Sequence, residues 1–128
     1  MRFLIFTFFV FFSLSATAQK EVMDNSRDAL KAGSSKDLVR FFASSVDLKI
    51  DGESTSYSKT QAEFILKDFF RKYPPNSFEF VHQGASREGL TYAIGKYNHS
   101  DGSFRVYLLL KDINGSYLID TMDFSDDN

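Results

Sequence analysis

The chain offers two histidines and no cysteine, so an acid–base site would have to be built around His82 or His99. His82 sits in "SFEFVHQG" (77–84). Strict alternation there puts Phe78, Phe80 and His82 on one side of a strand and Glu79, Val81 and Gln83 on the other. If the phenylalanines face the interior, so does His82, with Tyr92 of the next strand as the hydroxyl beside it. A general base needs a placed acid or nucleophile. The carboxylates open to that role are Asp120 and Asp123, which fall on opposite faces of the last strand, so at most one could serve. The plainer role for His82 is a rim residue whose ring packs on aromatic neighbours and whose nitrogens meet water or a backbone carbonyl.

His99 lies in "YNHSDG", where the Asp101-Gly102 turn accounts for its polar neighbours. An exposed turn lacks the desolvation that tunes catalytic groups. Two histidines without a thiol make a poor zinc set, and the adjacent Asp126 and Asp127 are not an organised calcium loop. There is no thiol nucleophile and no G-x-S-x-G elbow, and glycine-rich phosphate loops are missing too. The expectation is no metal, no cofactor and one weak catalytic candidate, His82. Asn98-His99-Ser100 and Asn114-Gly115-Ser116 would accept glycans only in a eukaryotic secretory pathway; otherwise they are turn residues.

The elements that must position these residues change period along the chain. From Glu21 to Ala32, Val22, Ser26, Ala29 and Leu30 follow a helical face, and Gly33 supplies a stop. Ser34 caps a second helix, with Asp37 three residues on and Leu38, Val39, Phe41 and Phe42 behind it. "SVDLKIDG" alternates as a strand and closes on the turn signal Asp51-Gly52. A polar link with Tyr57 leads to the strongest helix, opened by a Ser58/Gln61 capping box and ended by Pro74-Pro75. Its apolar face holds Ala62, Ile65, Leu66, Phe69 and Tyr73, widened by Phe70.

Four strands follow, at Ser77 to Ser86, Leu90 to Asn98, Ser103 to Lys111 and Ser116 to Phe124. Glu88-Gly89, Asp101-Gly102 and Asn114-Gly115 make tight hairpins between them, which implies an antiparallel meander. The fold class is α+β, with helices packed on one face of a curved antiparallel sheet. Phe104, Val106, Leu108 and Leu110 should meet the helices. Arg105, Tyr107 and Leu109, with Tyr97, are expected on the outer face, where they would suit a homodimer or protein interface.

Residues 1–18 read as a secretory signal peptide: Arg2, an apolar run from Phe3 to Phe12, then Ala16-Thr17-Ala18, with cleavage before Gln19. The run falls short of the roughly 20 residues that span a bilayer. The predicted organisation is thus a leader over 1–18 and a single domain over 19–128, secreted or periplasmic, with no membrane span. Without cysteine no disulfide staples it, so it must stand on its core. Net charge is −2, and loss of Arg2 with the leader makes the domain more acidic, which argues against nucleic acid as a partner.

Two helices, a strand, a long helix and a four-stranded meander resemble the nuclear transport factor 2-like, or cystatin-like, cone fold. The segments "DLVRFF", "VDLKIDG", "FEFVHQG", "YAIGKY", "FRVYLLLK" and "YLIDTMDF" resemble more narrowly the family catalogued as domain of unknown function 4783, small secreted proteins of Bacteroidetes-type bacteria. That resemblance covers essentially the whole mature chain and implies a bent sheet wrapped on the long helix with a pocket at its open end. It carries no catalytic residue to transfer, and the fold hosts enzymes, binding domains and dimerisation modules alike.

The leading expectation is a noncatalytic domain whose cone binds a small apolar molecule or a peptide on Phe78, Phe80, His82 and Tyr92, or whose outer sheet binds another protein. The alternatives are a small isomerase or hydrolase using His82, and an accessory dimerisation subunit held through Tyr97, Arg105, Tyr107 and Leu109.

Overall fold

The computed structural model describes residues 2–85 and 90–127, with side chains from Thr17 onward. Helix α1 spans Arg2–Ala32 and α2 Ser35–Val39. Strands β1 (Phe42–Ile50) and β2 (Glu53–Ser58) precede α3 (Lys59–Lys72). Strands β3 (Ser77–Ala85), β4 (Thr91–His99), β5 (Gly102–Ile113) and β6 (Ser116–Asp126) complete the chain. The architecture is α+β, with one six-stranded sheet in the order β2-β1-β6-β5-β4-β3. Every pair of neighbours is antiparallel except β1 and β6, which run parallel. Among the described residues no helix is long and apolar enough to cross a membrane.

Helix α1 is continuous through the segment where a helix was expected only from Glu21. It buries Met23, Ser26, Ala29 and Leu30, a stripe at three- and four-residue spacing. It stops at Gly33, where the amides of Gly33 and Ser34 bond back to the carbonyls of Leu30 and Ala29, a Schellman closure. Ser34 then caps α2, its side chain accepting from the Asp37 amide at 3.2 Å.

Helix α2 is shorter than its apolar residues suggested. The chain leaves it at Arg40, and Phe42, expected in the helix, opens β1 with 1% of its surface exposed. The supposed link around Tyr57 is strand β2, paired with β1 from Ser45↔Ser58 to Ile50↔Glu53. An edge strand this polar and this exposed shows no alternation to betray it. The hairpin turn itself forms as expected: Asp51 and Gly52 take φ of 56° and 90°, the left-handed pair of a type I′ turn.

Helix α3 has the full capping box at Ser58 and Gln61 and ends before Pro74. It lays Ala62, Leu66, Phe69 and Phe70 on the sheet. Phe69 is the hub: its ring centroid lies 4.4 Å from that of Phe124, 5.2 Å from Phe104 and 5.7 Å from Tyr97. Burying such a side chain is worth about 2–3 kcal/mol. From the sheet, Val106, Leu108, Leu110, Ile119 and Met122 fill the rest of this layer and are fully buried. Ile65, expected on the same face, is 37% exposed.

Two irregularities decide which side chains face where. In β3 the register with β4 slips between Phe80 and His82, leaving Val81 as an extra residue, a β-bulge. One inserted residue reverses the alternation beyond it. In β6 a second slip lies opposite Leu109 and Leu110.

Candidate functional site

The inner layer leaves a cavity of about 480 Å³ at one end of the sheet, closed below by Leu48, Phe69 and Phe104. Its walls come from elements far apart in sequence. The parallel pairing of β1 with β6 sets Ile50 beside Phe124, and the antiparallel pairing of β5 with β6 sets Phe104 beside Asp126. The β1–β2 turn, the β4–β5 turn, the end of β6 and the last turns of α3 therefore meet at one mouth.

Aromatic rings form one wall. The His99 ring stacks on Phe104 with centroids 5.1 Å apart and meets the edge of Tyr73 at 5.0 Å, and Tyr73 lies 5.0 Å from Phe104. The Asp101 amide donates to His99 Nδ1 at 3.3 Å, so the neutral ring carries its proton on Nε2. Behind this wall, the Tyr97 hydroxyl donates to the Tyr73 carbonyl. Burial without a nearby cation pushes the Tyr97 phenol well above its ordinary value of 10.0.

The rim is acidic. Asp51, Glu53, Asp68, Asp101 and Asp126 line the mouth together with the ammonium of Lys72 and the imidazole of His99. Among the described residues, no group of three or more histidine or carboxylate side chains is arranged to hold a metal ion. A shallower depression of about 410 Å³ lies beside α1 and α2, edged by Asp28, Asp37 and Arg40.

His82 and Tyr92 do come together: His82 Nε2 lies 3.0 Å from the Tyr92 hydroxyl. They do so on the outer face of the sheet and not in the cone, because the bulge at Val81 turns His82 outward. His82 is exposed, opposite Ile94, and Tyr92 stacks on Tyr107 at 6.3 Å. Phe78 and Phe80 point inward as expected, their rings 5.1 Å apart, yet neither lines the large cavity. The Phe78 ring packs against Gly95, where a Cβ would come within 2.4 Å of its Cζ and 2.9 Å of the Glu79 carbonyl oxygen, so the site accepts only glycine. The expected ligand wall is thus split between two faces.

Asp120 pairs with Lys111 at 3.3 Å and Asp123 accepts from Ser125 at 2.9 Å, so neither serves His82. On the outer face, Arg105 is exposed and Tyr107 and Leu109 are half-buried. Tyr97 does not join them: it pairs with Phe104 and is wholly buried. The expected Glu88-Gly89 turn and the end of the strand at Ser86 lie outside the described residues.

A protein-family model, Domain of unknown function (DUF4783), matches residues 23–125. No curated protein matches the chain. Among solved structures, a DUF4783 family protein from Bacteroides ovatus ATCC 8483 is 32% identical with a TM-score of 0.77, over 81% of this chain and 94% of that one. An NTF2-like protein of unknown function from Shewanella baltica OS155 is 14% identical with a TM-score of 0.64, over 88% and 93% of the two chains. A domain of unknown function with a cystatin-like fold from Nostoc punctiforme PCC 73102 is 10% identical with a TM-score of 0.70, over 90% and 78%. The two more distant likenesses fix the fold as NTF2-like and cystatin-like, and the span of the family match makes this chain a member of the DUF4783 family.

Proposed function

We propose that the protein is a noncatalytic ligand-binding domain, exported by its N-terminal leader, whose cone admits a small, largely apolar molecule. The carrying observation is the cavity of about 480 Å³ between α3 and the sheet, a size that suits a small organic ligand. Its floor of Leu48, Phe69 and Phe104 offers burial without hydrogen bonds. The one imidazole at its mouth, His99, is engaged in ring stacking and in a bond from the Asp101 amide. An acid–base enzyme centred on His82 finds no support in a residue exposed on the opposite side of the sheet. The leader reading is supported by the residue pattern of 1–18, and the family match opens at Met23, beyond the proposed cleavage site.

The test is native mass spectrometry of the protein purified from its own host, beside Ile65→Trp, which places an indole at the mouth. A bound small molecule in the unaltered protein and none in Ile65→Trp is expected. Bare polypeptide in both, together with no change in melting temperature across a panel of apolar molecules, would sink the reading.

A second reading concerns the outer face, where Tyr92 stacks on Tyr107 beside half-buried Leu109. Aromatic and aliphatic side chains gathered on one sheet face suit a second copy of the chain.

A further inference from the structure

The mouth of the cone carries more negative charge than its neighbours answer. Asp68 is paired with Arg71 at 3.1 Å. Among the described residues, no ion pair includes Asp51, Glu53 or Asp101, and the only ammonium at the rim is that of Lys72. Beside these carboxylates stands the half-buried ring of Tyr73, and an aromatic face attracts cations. The carboxylates are exposed, whereas the apolar lining at Leu48 and Phe69 is buried. The cavity is therefore polarised along its depth, hydrocarbon at the bottom and negative potential at the lip.

That polarity selects among ligands. An anion entering would meet Asp51, Glu53 and Asp101, which no ion pair among the described residues includes, against the ammonium of Lys72. A neutral molecule would desolvate acidic groups at the lip and give them nothing in return. A molecule with an apolar body and a positive head matches both ends, because clefts lined by one sign of charge concentrate the opposite sign. Resting on the ligand-binding reading above, we infer that the cone takes an organic ammonium ion. Its apolar body lies on Leu48, Phe69 and Phe104, and its protonated amine sits at the mouth with Asp51, Glu53 and Asp101.

Calorimetric titration of the protein with octylammonium, 1-octanol and octanoate varies the head charge at one chain length. Octylammonium is expected to bind about tenfold tighter than octanol, and octanoate about tenfold weaker. Added salt should narrow both gaps. In the triple variant Asp51→Asn, Glu53→Gln, Asp101→Asn the three probes should bind alike, with octanol affinity unchanged. Asn suits the φ of 56° at position 51, so this variant keeps its turn. Ile65→Trp should bind none of them, which separates the cone from any other apolar surface.

Equal binding of octylammonium and octanol, or a preference that survives in the triple variant, overturns the ammonium inference and leaves the cone as a ligand site. Failure of all three probes, or binding that Ile65→Trp does not disturb, overturns the cone reading as well.

Discussion

The hydroxyl of Tyr97 donates to the backbone carbonyl of Tyr73, tying the inner face of the sheet to the C-terminal cap of α3. The bond secures one wall of the cone, and it gives the fold an alkaline weakness. In the folded chain burial holds the phenol neutral, whereas in the unfolded chain it ionises near 10.0. The unfolded state thus sheds a proton that the folded state keeps, so stability is fully present below about pH 10 and falls as pH rises above it. Urea unfolding across this range should show that decline. Tyr97→Phe should flatten it, at a cost of about 1–3 kcal/mol at neutral pH for the carbonyl left unpaired.

Ser26 stands on the buried stripe of α1, and among the described residues its hydroxyl oxygen meets no hydrogen-bond partner. Replacing it by alanine removes a desolvated polar atom and improves helix propensity. Ser26→Ala is expected to raise stability by about 1 kcal/mol in denaturant melts. A loss of similar size would mean that the hydroxyl has a partner in solution.

Because the bulge turns His82 to solvent, His82→Ala should change stability by no more than about 0.5 kcal/mol. It should also leave probe binding in the cone untouched. A calorimetric loss of octylammonium affinity in that variant would place the imidazole at the ligand after all.

Tyr107→Asp puts a charge at the centre of the outer face, opposite Asp123 on the neighbouring strand. If two copies of the chain pair there, sedimentation velocity should show the assembly falling to monomers, since a buried unpaired carboxylate is poorly tolerated. An unchanged profile would remove this face from consideration.

Much of this fold was legible because strong local signals agreed with it. The capping box at Ser58 and the Asp51-Gly52 and Asn114-Gly115 turns appear where their residue types demand, the latter with φ of 54° and 89°. Tyr97 was expected on the wrong face although the strand register carried the signal. Closing the β4–β5 hairpin on Asp101-Gly102, or one residue earlier as the observed Asn98↔Ser103 register does, puts Tyr97 opposite Val106 or Phe104, both inward. Inside, a backbone carbonyl satisfies its hydroxyl.

The bulge at Val81 leaves no mark in "SFEFVHQG", whose alternation looks unbroken, so His82 could not be placed from sequence. The mouth was hidden for a different reason. Asp51 joins His99, Asp101 and Tyr73 because β1 runs beside β6, a long-range pairing with no local signature. His99 reads as a turn residue until Phe104 and Tyr73 are seen around it.

That same pairing makes the order of synthesis matter. Among the described residues, the β2-β1 hairpin pairs with the other strands of the sheet only through β6, which follows all of them along the chain. Until residues 116–126 arrive, the early hairpin and the β3–β5 meander are separate fragments with open edges. Contacts so distant along the chain carry a large loop-closure cost before they return any stability. The sheet is therefore held open by its own topology until β6 has been made, and deletion of that strand would sever the sheet and not merely shorten it.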